Sequence, residues 1–248
     1  MTGSSARLST DAVANSLLAI RGLKFRWPKT QHDLLDIPSF SLDAAERVFL
    51  QGASGSGKSS LLALLGGVAR PREGSVTLLG QALSDLPQKR VDQLRADHVG
   101  FVFQLFNLVP YLSALDNVML PCRFSTRRRK QVQAAGYSVD TEAARLLKQL
   151  ELSDHDLVNR RVTALSIGQQ QRVAVARALI GAPNLIIADE PTSALDEGTR
   201  ERFLELLFGE CQARGIAVLL VSHDPRIGAL FDRHVDLREL NEAQTSHT

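Results

Sequence analysis

The chemistry open to this chain is concentrated in Gly52-Ala53-Ser54-Gly55-Ser56-Gly57-Lys58-Ser59, which satisfies G-x-x-x-x-G-K-[ST] at every fixed position. Glycines and short serines let successive backbone N–H groups curl around phosphate oxygens with no Cβ in the way. Lys58 offers a cation to the β- and γ-phosphates, and the Ser59 hydroxyl offers Mg²⁺ a hard oxygen. A plain Gly/Ser turn has the same composition, so the flanks matter. Arg47-Val48-Phe49-Leu50 is a short apolar run before the loop, and Ser60 to Leu65 is a Leu-rich helix start behind it. That strand–loop–helix order aims a helix N-terminus at a bound anion, and it predicts a site for a nucleotide polyphosphate.

Two further polar pairs end apolar runs. Asp189-Glu190 follows Leu185-Ile186-Ile187-Ala188, and Ser222-His223 follows Ala217-Val218-Leu219-Leu220-Val221. Continuous apolar runs are expected of parallel strands buried on both faces. Open α/β sheets bind ligands beyond the carboxyl ends of their strands, so both pairs should face the phosphate loop. An Asp at such a strand end is placed to hold Mg²⁺, directly or through water, and the next carboxylate to orient and deprotonate an attacking water. Paired acids after a strand also serve as simple helix caps.

The elements that must position these groups alternate between apolar runs and helical patterns, which predicts an α/β architecture. Val99-Gly100-Phe101-Val102-Phe103 reads as a strand ending on Gln104. From about Leu105 to Arg161 the pattern turns helical, with Thr141 to Leu150 amphipathic through Ala144, Leu147 and Leu150. Val173 to Ile180 reads as another helix, closed by Gly181 and Pro183. Residues 17–240 are expected to form one domain between a loose N-terminal tail (1–16, rich in Ser, Thr and Ala) and a C-terminal tail (241–248).

Composition narrows the function classes. A 248-residue chain with net charge +2 and interspersed signs carries no nucleic-acid footprint. Cys122 and Cys211 lie far apart without metal-type spacing, which reads as a reducing, cytoplasmic setting. No apolar run approaches the ~20 residues that span a bilayer, and the N-terminus has no secretion-type apolar region. Membrane association is therefore expected through a partner.

Leu165-Ser166-Ile167-Gly168-Gln169-Gln170-Gln171-Arg172 resembles the LSGGQ signature of ATP-binding cassette (ABC) ATPases. Physically, Ser166 can cap the following helix while Gly168 leaves N–H groups free, making a second anion-binding helix start, or merely an ordinary cap. The other markers fall in family order: Gln104 as the Q-loop, Ser193-Ala194-Leu195-Asp196 as the D-loop, His223 as the switch histidine. The resemblance covers roughly Leu18 to Leu240. It implies an α/β fold, a P-loop NTPase ABC cassette with a RecA-like core, a small antiparallel β subdomain and an α-helical subdomain at about 105–162. It also implies ATP and Mg²⁺ as cofactors and hydrolysis by in-line water attack. Lys58 and the loop residues Gly52 to Ser60 would hold phosphates; Ser59, Gln104 and Asp189 would organise the metal. Glu190 would polarise the water and His223 would contact the γ-phosphate. Ser166, Gly168, Gln169 and Asp196 would act on a nucleotide held by another subunit, so a homodimer is implied. The family places an aromatic ring against adenine, which makes Trp27 the best match and Phe25 the runner-up; either could instead pack in the antiparallel sheet. Three departures stand out: Ile167 for the first signature glycine, Val162 where many relatives have proline, and His234 to Leu240, which lacks the usual turn after the last strand.

Leu61 to Gly67, Gly100 to Gln104, Leu108-Val109-Pro110 and Asn117 to Pro121 are most similar to the MacB-, LolD- and FtsE-like subfamily. That likeness implies a peripheral ATPase dimer on the cytoplasmic face of the inner membrane, beneath FtsX/MacB-like permease subunits. Export, lipoprotein release and mechanotransmission are all open, as is a non-transporting cassette that switches a membrane partner in cell division. A soluble cassette acting on DNA or ribosomes would need long inserts or tandem cassettes, and a small-molecule kinase would have no use for residues 166–169. Phe106, Leu108, Val109, Tyr111 and Leu112 follow Gln104 where the family forms its permease socket, though core packing explains them equally. Arg123, Arg127, Arg128, Arg129 and Lys130 lie in an acid-free stretch, read as a solvated loop or as a contact for anionic headgroups.

Overall fold

The computed structural model describes residues 16–53, 55–152, 154, 158–193, 195 and 197–243. Its strands are β1 (Leu18–Phe25), β2 (Leu35–Leu42), β3 (Arg47–Gln51), β4 (Glu73–Leu78), β5 (Gln81–Ala82), β6 (Val99–Val102), β7 (Leu185–Asp189), β8 (Ala217–Ser222) and β9 (Arg233–Asp236). The continuous apolar runs take the middle of a parallel sheet ordered β6-β7-β8-β3-β9. Both faces are covered, and the strand period of two divides each run between them. Leu185 and Ile187 join one apolar cluster with Ala217, Leu219 and Val221, while Ile186, Ala188, Val218 and Leu220 join the other. Burying each such Leu, Ile or Val contributes about 1.5–3 kcal/mol to the stability of this sheet. A smaller antiparallel sheet, β2-β1-β4-β5, closes over the first cluster.

Among the described residues the helices are α1 (Lys58–Leu65), α2 (Gln88–His98), α3 (Ala114–Phe124), α4 (Thr126–Ala134), α5 (Val139–Gln149), α6 (Ile167–Leu179), α7 (Glu197–Ala213) and the short α8 (Leu237–Leu240). Helices α1 and α2 join the apolar cluster shared by the two sheets, and α3, α5, α6 and α7 join the cluster on the opposite face. This is the α/β cassette architecture the sequence implied, with its helical part beginning at α3 behind an irregular stretch, 103–113.

Several expectations need correction. In α5 the buried stripe is Ala143, Leu146 and Leu147, continued by Leu150 just past the helix; Ala144 is exposed. Glu142 shares that buried stripe, neutralised by Arg145 (2.7 Å) and Arg214 (2.9 Å), and its charge hides the true phase of the pattern. Helix α6 starts six residues before Val173, because Ser166 caps it and its first turns are polar. Residues 234–240, where a turn was missing, form the end of β9 and then α8. Two residues placed in the tails pack against the domain. Ser16 is buried, and Asn241 is fully buried, accepting from the Asp36 N–H at 2.7 Å and donating to the Leu34 carbonyl at 2.9 Å. Of the two proposed tails, residues 1–15 and 244–248 lie outside the described residues.

The basic stretch is not a loop. Ser125 caps α4, and Arg128 points inward with about 2 % exposure. Its guanidinium donates to the carbonyls of Ala96 (2.8 Å), Val99 (2.7 Å), Ala178 (3.1 Å) and Ile180 (3.0 Å). Burial pushes its pKa down to about 10. Arg127 donates to the Asp97 carbonyl and to Asn184 Oδ1, both at 3.1 Å. Only Arg123, Arg129 and Lys130 remain exposed.

Candidate functional site

The carboxyl ends of β3, β7 and β8 open on one cavity of about 630 Å³, walled by Gly55, Gly57, Lys58, Ser59 and Ser60 with Leu34, Gln104, Asp189, Glu190 and His223. The loop between β3 and α1 is shaped for something other than its own side chains. Gly57 caps α1 at φ 98°, where a Cβ would meet Leu35 Cδ2 at 2.8 Å. A Cβ on Gly52 would meet Ser56 Oγ at 2.7 Å. No side chain caps α1 and no acid sits in its first turn, so its leading N–H groups remain available for an anion. Ser56 Oγ is buried without a hydrogen-bond partner among the described residues. An orphaned hydroxyl is costly in a finished interior and natural in a cradle completed by phosphate oxygens. Ser54 lies outside the described residues.

Lys58 Nζ donates to the carbonyls of Gly52 (2.8 Å) and Ala53 (3.0 Å) and lies 3.7 Å from Glu190 Oε1. Glu190 is the centre of the site. It is about 8 % exposed and sits at φ 46°, a left-handed conformation that non-glycine residues rarely adopt. Such strain persists where surrounding contacts over-determine it. Here the Glu190 N–H donates to the Val221 carbonyl at 2.9 Å, and Ser222 Oγ donates to Glu190 Oε2 at 3.0 Å. His223 Nδ1 lies 2.9 Å from both carboxylate oxygens. A carboxylate only accepts, so Nδ1 carries the proton and Nε2 is left for another partner. The sequence reading placed Ser222 facing the phosphate loop but gave it no role; its hydroxyl holds the Glu190 carboxylate.

Asp189 ends β7 beside this pair. Burial raises its pKa, the neighbouring Glu190 charge raises it further, and Lys58 opposes both. Asp189, Ser59 and Gln104 bring a carboxylate, a hydroxyl and an amide oxygen to one cavity, a set of hard donors that suits Mg²⁺. Among the described residues no group of three or more His, Cys, Asp or Glu side chains could hold a metal ion. A single carboxylate in that donor set suits a site whose remaining ligands are phosphate oxygens and water.

Gln104 is exposed and held through its neighbours. Phe106 (φ 61°) and Asn107 (φ 47°) turn the chain sharply, and Arg177 donates to both of their carbonyls at 2.6 and 2.7 Å. Burial lowers the Arg177 pKa. Asn117, fully buried, staples the same stretch by pairing with the Val109 N–H (2.8 Å) and carbonyl (3.1 Å). Phe106 and Leu108 pack on the core, so the socket expectation divides: Tyr111 is exposed, as are Phe103, Leu105 and Phe124, which the sequence reading did not single out.

Ser166, Gly168 and Gln169 do not line the cavity. Ser166 Oγ accepts from the Gln169 N–H at 3.3 Å, and Gln169 Oε1 accepts from the Ser166 N–H at 2.9 Å, a reciprocal capping box. Within this chain, then, they form a helix start. Yet Ile167 is 59 % exposed, and a Cβ on Gly168 would meet nothing within 4 Å. Asp196 and Ala194 lie outside the described residues. Trp27 stands at the cavity edge, with its Nε1 3.0 Å from Ser60 Oγ.

A family model described as ABC transporter matches residues 35–193. The lipoprotein-releasing system ATP-binding protein LolD of Hydrogenovibrio crunogenus is 41% identical over 200 residues, covering 81% of this chain and 83% of that protein. The macrolide export ATP-binding/permease protein MacB of Rhodopseudomonas palustris is 37% identical over 229 residues, 92% of this chain. This chain spans only 34% of that MacB. Among solved structures, a dimeric post-hydrolysis state of the ATP-binding cassette MJ0796 bound to ADP and Pi aligns with TM-score 0.77 at 34% identity. The alignment covers 91% of this chain and 95% of that one.

Proposed function

The chain belongs to the ABC transporter family, and we propose that it is the ATP-hydrolysing subunit of a membrane complex whose two nucleotide sites are each shared between two copies of the chain. One observation carries the shared site. The cavity holds the phosphate loop, Asp189, Glu190, Gln104 and His223, while the helix start at Ser166 to Gly168 is exposed and outside it. The dimeric form of the MJ0796 cassette supports the same arrangement.

In this reading Lys58 and the amides of 52–59 hold the phosphates. Ser59, Asp189 and Gln104 would hold Mg²⁺, which when bound neutralises phosphate charge. Glu190, pinned by Ser222 and His223, accepts the proton of the attacking water. His223 donates its Nδ1–H to Glu190, and in the imidazolium form its Nε2–H donates to the γ-phosphate. Ser166, Gly168, Gln169 and Asp196 of a second copy complete the site. Trp27 is the platform for the base.

The partner is an integral-membrane permease of the LolD- or MacB-associated kind, and the chain acts as its peripheral subunit at the membrane. Support comes from the names of the relatives and from a groove of about 360 Å³ beside Phe103, Leu120 and Phe124. No helix among the described residues is long and apolar enough to cross a membrane.

The Gly168→Asp variant tests the shared site. Space is open at that position, so the fold and Mg-ATP binding by the monomer should hold within about two-fold. A carboxylate aimed at the other copy's nucleotide should lower turnover by ~10²-fold or more. Unchanged turnover would refute a site completed from a second copy.

A further inference from the structure

The indole of Trp27 makes a contact that stacking on a base does not require. Its Nε1–H donates to Ser60 Oγ at 3.0 Å, joining the end of β1 to the first turn of α1. The ring is braced edge-on by Phe25, with centroids 5.1 Å apart and planes at 82°. Behind it, the Thr30 N–H (3.2 Å) and hydroxyl (2.8 Å) both donate to the Trp27 carbonyl. The side chain is therefore partly exposed and yet fixed in direction.

Ser60 is buried and lines the cavity next to Ser59. A hydroxyl has one proton and two lone pairs. Accepting the indole N–H occupies a lone pair and turns the O–H away from Trp27. No other hydrogen bond to Ser60 Oγ is made among the described residues. A serine on a helix commonly returns its proton to the carbonyl four residues back, and the indole contact competes with that orientation.

We infer that Trp27 is a positioning residue for phosphate binding: its indole N–H holds the Ser60 hydroxyl so that the hydroxyl proton serves the polyphosphate. The inference rests on the cavity being the nucleotide site and is independent of whether the ring stacks on adenine. Any aromatic ring could stack; of Phe, Tyr and Trp only tryptophan carries a ring N–H.

The test uses the full chain and two ligands, Mg-ATP and Mg-tripolyphosphate, the second having no base. Trp27→Phe keeps a ring and deletes the donor. Its affinity for both ligands should fall by the same factor, about 3- to 10-fold for one hydrogen bond to a charged group's partner. KM for ATP should rise accordingly with kcat unchanged, a split that a merely structural defect would not give. Ser60→Ala should show the same loss, and the double variant no further loss. Unchanged tripolyphosphate binding in Trp27→Phe would overturn the inference, as would losses that multiply in the double variant. If Lys58→Ala bound tripolyphosphate as well as the unaltered chain, the site reading itself would fall and the inference with it.

Discussion

At the nucleotide cavity the buried charge of Glu190 is held by three side chains, Ser222, His223 and Lys58, and two of these can carry charge themselves. In the helical region the buried charge of Arg128 is held by four backbone carbonyls and, among the described residues, makes no hydrogen bond to a carboxylate. Side-chain partners can be exchanged for a ligand's atoms, whereas carbonyls at helix ends cannot leave. The first arrangement therefore leaves its charge available for chemistry, and the second fixes geometry. Ala178 and Ile180 lie at the end of α6, the helix that Ser166 starts, and Ala96 lies near the end of α2. Arg128 thus satisfies orphan carbonyls of two helices and favours both of their dipoles.

The largest effect should come from Arg128→Met, which leaves four carbonyls without their donor. We expect a loss of about 3–5 kcal/mol in urea unfolding, the scale for breaking a buried charged network. Arg129→Gln and Lys130→Gln, on the exposed side of the same helix, should stay within ~0.5 kcal/mol. A small effect at Arg128 would erase the contrast.

Glu190→Gln should do the reverse. Turnover should drop by ~10²-fold or more, about 2.7 kcal/mol of barrier, while unfolding stability moves by less than ~1 kcal/mol. A stability loss comparable to that of Arg128→Met would make Glu190 a structural residue.

The smallest expected effect is one of pH at the junction beneath α4. His98 Nδ1 lies 2.8 Å from Asn184 Oδ1, which also accepts from Arg127. Burial lowers the His98 pKa below the ordinary 6.5, outweighing the Asn184 hydrogen bond and the Asp97 charge that raise it. The Arg127 and Arg128 charges push the same way as burial. Below about pH 6.5 the unfolded chain takes up a proton that the folded chain resists. Stability should therefore fall as pH drops through that range and be indifferent to His98 above it. His98→Gln should flatten this part of the profile; equal slopes in both proteins would remove His98 from the account.

What the sequence disclosed follows from the same physics. Strands β7 and β8 were legible because continuous apolar runs ending in Asp189 and His223 have few other places to go. The phosphate loop was legible because its glycines answer a backbone demand that holds locally. Arg128 was not, since its partners come from α2, β6 and α6, and a charge run alone reads as surface. Ala143 and Ala144 were confused because Glu142, on the buried stripe, displaced the apparent phase. Ser222 and Asn117 act through side-chain hydrogen bonds to the Glu190 carboxylate and to the Val109 backbone, which no periodic pattern reveals.

The central claim, a nucleotide held between two copies of this chain, is tested most directly by the mass of the Glu190→Gln protein in solution with saturating Mg-ATP. The account predicts conversion from monomer to dimer that disappears when Gly168→Asp is added. A protein that stays monomeric with Mg-ATP bound, or a dimer indifferent to Gly168→Asp, would contradict it.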